Sequence, residues 1–123
     1  MKYPAQLLYY FQHRNHGGRL DLTDPTVQYV QAGNQQNGEM VKLYVRYQNH
    51  RVETAKFQAA SSVALIAAAE FICVWLEKKT YQDLALLTHQ SILQELGLTE
   101  LNIHIANLII IAVKQLDFIK HSI

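Results

Sequence analysis

An α+β fold, a three-stranded antiparallel sheet with helices packed on one face, follows from three features of the sequence. Apolar and polar residues alternate in its first half, as half-buried strands require. Short links join those strands, so neighbours run antiparallel. Near Ser61 the composition switches to alanine- and isoleucine-rich runs of helical length. The expected order is α-βββ-αααα, in one domain spanning all 123 residues.

Taken in order, Tyr3 to Gln12 reads as a short helix with Pro4 in its first turn, where a missing N–H costs little. Leu7, Leu8 and Phe11 form its expected buried stripe, and Gly17-Gly18 end the segment. Val27 to Gln31 is the first strand, followed by the loop A-G-N-Q-Q-N-G. Met40 to Tyr47 is the second, with Val41, Leu43 and Val45 on one face and Lys42, Tyr44 and Arg46 on the other. Q-N-H-R is a hairpin turn, and Val52 to Phe57 is the third strand. Ser61 or Ser62 N-caps an alanine-rich helix that ends near Lys78-Lys79. Thr80 and Asp83 open a short helix, and Thr88 to Leu96 form another, stopped at Gly97. Thr99 or Asn102 opens a final helix running to about His121.

Composition excludes several functions. The net charge is +1 and the basic residues are scattered, so no nucleic-acid footprint is expected. A single cysteine, Cys73, excludes a disulfide framework and an all-cysteine metal site. No apolar run approaches the ~20 residues of a membrane span, and M-K-Y-P-A-Q is no signal peptide, so a cytoplasmic protein is expected. No enzyme is expected: Ser61-Ser62 lack a nucleophile elbow or a partner pattern. His13 and His16 form H-x-x-H, a metal signal without further ligands, and a turn-stabilising role fits this segment better.

Four segments in order carry a resemblance. Arg14-Asn15 and Gly17 match R-N-x-G; Q-N-G-E-M-V-K-L (36–43) is similar to C-G-D-x-x-x-L. K-F-Q-A-A-S-S-V-A (56–64) is similar to F-x-x-x-G-C, and I-L-Q-E-L-G-L-T-E-L-N-I-H-I-A (92–106) to E-L…P-x-K-x-H-C. The chain resembles the NifU N-terminal/IscU family of iron–sulfur cluster assembly scaffolds. The resemblance implies a site of three cysteines, an aspartate and a histidine. Here the cysteine positions read Asn37, Ser62 and Ile105, the aspartate position reads Glu39, and only His104 is kept. Thiolates are the ligands such clusters need. No cofactor is therefore expected; an iron–sulfur cluster, Zn²⁺ or Fe²⁺ enters only through the resemblance. Glu39 and His104 are the candidate metal ligands, with Asn37 or Ser62 as poor third donors. The family's chaperone segment L-P-P-V-K is here Leu98-Thr99-Glu100-Leu101-Asn102, without its prolines and lysine.

The resemblance places the chain in iron–sulfur assembly as a binding or regulatory module, with a cysteine desulfurase or another assembly protein as partner. The alternatives are an unrelated dimeric interaction protein and a small metal-dependent enzyme using Glu39 and His104. Ile109, Ile110 and Ile111 are consecutive, and three helical residues span about 200°. The sequence therefore predicts an apolar partner surface on the 102–121 helix, most simply a homodimer, with Phe71 and Val74 joining it.

Overall fold

The computed structural model describes residues 2–34, 36, 38–60 and 62–121. Helix α1 (Ala5–Gln12) leads into strands β1 (Val27–Asn34), β2 (Glu39–Gln48) and β3 (Arg51–Ala59). Helices α2 (Val63–Leu76), α3 (His89–Leu96), α4 (Ile103–Lys114) and α5 (Phe118–His121) come next, with 3₁₀ turns at Gln82–Leu86 and Glu100–Asn102. The sheet is an antiparallel meander in the order β1-β2-β3. The predicted α+β architecture with helices on one face is what forms.

Register explains the burial. Val30 and Phe57 flank Leu43, and Ala32 and Ala59 flank Val41, so these side chains share the face turned to the helices. Leu65, Ile72, Leu76, Ile92 and Ile109 fill the other side of one core cluster. On the outer face Tyr44 is buried nonetheless. Its ring packs against Tyr29 with centroids 5.2 Å apart, and its hydroxyl donates to Gln58. The β2–β3 turn has positive φ at Asn49 and His50, the two-residue turn whose twist suits a hairpin.

Several boundaries differ from those the sequence predicts. β1 runs three residues further than Gln31, because Gly33 takes φ 83° and keeps Ala32, Gly33 and Asn34 paired with β2. On α1 the core-facing residues are Leu7, Tyr10 and Phe11, one helical turn apart, while Leu8 sits beside them without joining the core cluster. Thr80 and Asp83 do bond as a cap, yet the segment they open is a 3₁₀ turn. Thr88 and Ser91 form a full capping box at α3, and Gly97 ends it at φ 68°. The final helix does not reach His121. It stops at Lys114, the Gln115 side chain donates to Gln31 and Ile111 carbonyls, and Asp117 starts α5 by accepting the Ile119 and Lys120 N–H groups.

The expected apolar surface on α4 needs correction. Ile109 is fully buried and Ile110 is 6% exposed within the protomer, as is Phe71 at 7%. The helix is packed between β1, β2, α2 and α3, so it is nearly central despite its late place in the chain. Ile111 and Val74 alone of the predicted patch are open, at 43% and 47%. Ile110→Glu is therefore expected to destabilise the protomer by about 3–5 kcal/mol, through a buried charge and lost packing. Ile111→Glu should leave the melting temperature within a degree or two. Thermal melts with light scattering check both, and a soluble Ile110→Glu chain that only halves its mass would restore the surface.

Candidate functional site

Two elements bring the site together. Glu39 begins β2, where pairing with Asn34 fixes its backbone. His104 lies in the first turn of α4, behind a 3₁₀ turn capped by Thr99, whose hydroxyl accepts the Leu101 N–H. Residues 65 apart in sequence thus meet: His104 Nε2 is 3.5 Å from Glu39 Oε2. The side chains are 55% and 34% exposed, so their attraction is screened and of surface strength, about 0–1 kcal/mol.

Of the remaining predicted positions, Ser62 and Ile105 offer no donor to this pair. Ser62 N-caps α2, its hydroxyl accepting the Leu65 N–H at 3.1 Å. Ile105 is 1% exposed and turned into the core, one residue from a histidine that is turned out. Asn37 and Ser61 lie outside the described residues. Cys73 is fully buried; burial first, then the negative charges of Glu70 and Glu77, push its thiol up and disfavour a thiolate. Among the described residues no three His, Cys, Asp or Glu side chains converge as a metal site. This donor set does not fit a thiolate-ligated cluster. Beside His104, Leu101 and Ile103 leave large apolar side chains in solvent.

A second polar centre lies elsewhere, at positions the sequence does not single out together. Glu70, on the alanine-rich helix, is 2% exposed and is the one buried charged side chain among the described residues. The His16 N–H groups hold it: the backbone N–H donates to Glu70 Oε1 at 2.9 Å and Nδ1–H to Oε2 at 2.6 Å. Nε2–H donates to Glu77 Oε1 at 3.0 Å, while Glu77 Oε2 accepts the Ala55 N–H at 3.3 Å. A neutral imidazole has one N–H, so serving both carboxylates takes the imidazolium. Burial of the ring opposes that charge, but its hydrogen bonds to Glu77 and Glu70 outweigh the burial, and the His16 pKa is raised above 6.5. The same stretch pairs with the free edge of β3. Phe57 N–H donates to His16 O, and Gly18 N–H donates to Phe57 O. His13 is apart, stacked on Tyr9 and bonded to its carbonyl. The two histidines of H-x-x-H thus face apart, and His16 anchors the loop to α2. The readable signal was Glu70 itself, one acid inside A-A-A-E-F-I-C.

A three-stranded meander covered on one face by helices is the NifU-like fold, that of the iron–sulfur cluster assembly scaffold family. Residues 2–117 match the NifU-like N terminal domain family, and the chain belongs to it. It is 27% identical over 115 residues to iron sulfur cluster assembly protein 1 of Encephalitozoon cuniculi, covering 93% of this chain and 82% of that one. It is 24% identical over 107 residues to the iron–sulfur cluster assembly scaffold protein IscU 1 of Archaeoglobus fulgidus, covering 86% and 68%. The N-terminal part of a nitrogen-fixing NifU-like protein from Brucella abortus has the same fold, with TM-score 0.67 at 10% identity over 91% of this chain and 92% of that one.

Proposed function

We propose that the chain is a cluster-free member of this scaffold family, a one-domain binding or regulatory module of iron–sulfur assembly and not an enzyme. The observation that carries the reading is the fate of the family's ligand positions: Ser62 is spent on a helix cap and Ile105 on the core. The exposed Leu101 and Ile103 beside His104 support a protein contact at the same end, with a cysteine desulfurase or another assembly protein in the cytoplasm as partner. No single helix among the described residues is long and apolar enough to cross a membrane.

Anaerobic reconstitution with iron and sulfide is expected to leave no stoichiometric cluster absorbance; a stable cluster would sink the reading. Association with the host's desulfurase, weakened by Leu101→Asp, separates this module from an unrelated interaction protein. A homodimer through α4 now rests on Ile111 with Val74, and light scattering of Ile111→Glu tests it. The 3.5 Å approach of Glu39 and His104 favours one further reading, a Zn²⁺ or Fe²⁺ held with a third ligand from a partner. Metal content that rises on complex formation and vanishes in His104→Ala supports it.

A further inference from the structure

The far end of α4 carries a cleft unrelated to the Glu39–His104 end. Ten residues of helix separate His104 from Lys114, about 15 Å at 1.5 Å each. Here the 3₁₀ turn at 82–86 faces α4 across a cavity of about 290 Å³, and a second of about 530 Å³ adjoins it, lined by His50, the start of the turn and residues 114–119. They share Tyr81, Gln82, Lys114 and Leu116. The floor of the smaller one is core: Leu87, Ile110, Val113 and Leu116 are each buried against the protein on their other sides. The outer one is flanked by Tyr81 and Ile119, both well exposed. Among large apolar side chains these are some of the most open in the chain, and they border one concavity.

Charge decides what the smaller cavity would take. Lys114 is its one cationic lining residue, and no acid lines it. The ammonium has no ion pair or side-chain hydrogen bond among the described residues. The nearest acid in sequence, Asp117, lines only the wider cavity, and its Oδ1 is occupied by the Ile119 and Lys120 N–H groups at 3.1 Å each. An apolar recess bordered by one exposed cation without an acidic partner matches a molecule with an apolar body and a single anionic head.

We propose that this cleft binds a medium-chain monocarboxylate. Its chain lies on Ile110, Val113 and Leu116, and its carboxylate accepts hydrogen bonds from Lys114 Nζ. The smaller volume sits at the lower end of the ~300–1,000 Å³ usual for ligand pockets, so an acid of about eight to ten carbons fits better than a long one. The tail leaves through the wider cavity past Phe118 and Ile119.

Titration calorimetry of the full chain with decanoate, below its micelle concentration, tests the assignment. One-site binding is expected, about tenfold weaker in Lys114→Ala and unchanged in Lys120→Ala, an exposed cation outside the cleft. Decanol should bind more weakly than decanoate, and methyl NMR shifts should centre on Ile110 and Val113. Equal losses in both lysine variants, equal affinity for decanol, or no heat at all would each overturn it. Lys114 is exposed, so unchanged melting of Lys114→Ala keeps a loss of binding from being a loss of fold.

Discussion

Replacing His16 with alanine is expected to cost about 3 kcal/mol at neutral pH, although the residue sits in a loop. The substitution removes the cation from between Glu70 and Glu77. It leaves Glu70, almost fully enclosed on α2, as a buried carboxylate with only a backbone N–H to hold it. Breaking a buried pair from one side is far costlier than lacking it altogether. The double variant His16→Ala/Glu70→Gln should therefore recover more than half of the loss, because glutamine still accepts the residue-16 N–H without a charge. Urea denaturation monitored by far-ultraviolet circular dichroism measures the cycle. A single-variant loss under about 0.5 kcal/mol, ordinary for surface positions, would show that the cluster is ornamental.

The same cluster sets a pH dependence. The folded-state pKa of His16 lies above its unfolded value of 6.5, so folding takes up a proton there. The resulting stability is fully present below pH 6.5 and is lost as pH rises through the raised value. Wild type should thus lose melting temperature on the alkaline side of pH 6.5, and His16→Ala should run flat across that window. Asp21, Asp24 and Asp83 are held below the usual carboxylate range by hydrogen bonds from Thr23, Thr26 and Thr80. Their contributions fade only at acid pH, with the opposite sign, and do not blur the test.

How much of a feature the sequence discloses depends on how local its cause is. Strand alternation, the Gly97 stop and the Asn49-His50 turn are settled within a few residues, and all are read correctly from them. The meeting of Glu39 with His104 is not local, and it was legible only through the family resemblance. Burial of Ile109 and Ile110 depends on how many elements surround α4, which a periodicity argument cannot count. The break at Lys114 depends on Gln115 reaching the β1 edge, and the His16–Glu70 contact on a loop returning to β3. In each case the deciding partner lies far along the chain, 84 residues away for Gln115 and 54 for His16, and single-segment patterns do not encode it.

Gly33→Ala is expected to cost about 3 kcal/mol and to disturb the Glu39–His104 end, and Gly38→Ala shows why. Both glycines have positive φ, 83° and 73°, so an alanine at either adopts a left-handed backbone at about 1 kcal/mol. Around Gly38 an added Cβ meets nothing within 4 Å. At Gly33 it runs into the Glu39 carbonyl oxygen and lands 3.2 Å from Met40 Cα. Those are backbone atoms of the paired strand, so no side-chain rotation relieves the clash. The strands must part at the Gly33–Met40 and Asn34–Glu39 pairs. That frees the first residue of β2, the one that carries the carboxylate to His104. Thermal melts of the two variants should therefore differ by several degrees. The His104 ring resonances should shift in Gly33→Ala and stay in place in Gly38→Ala. Equal melting temperatures would mean that left-handed strain alone matters, and that the close passage of β1 over Glu39 does not position the site.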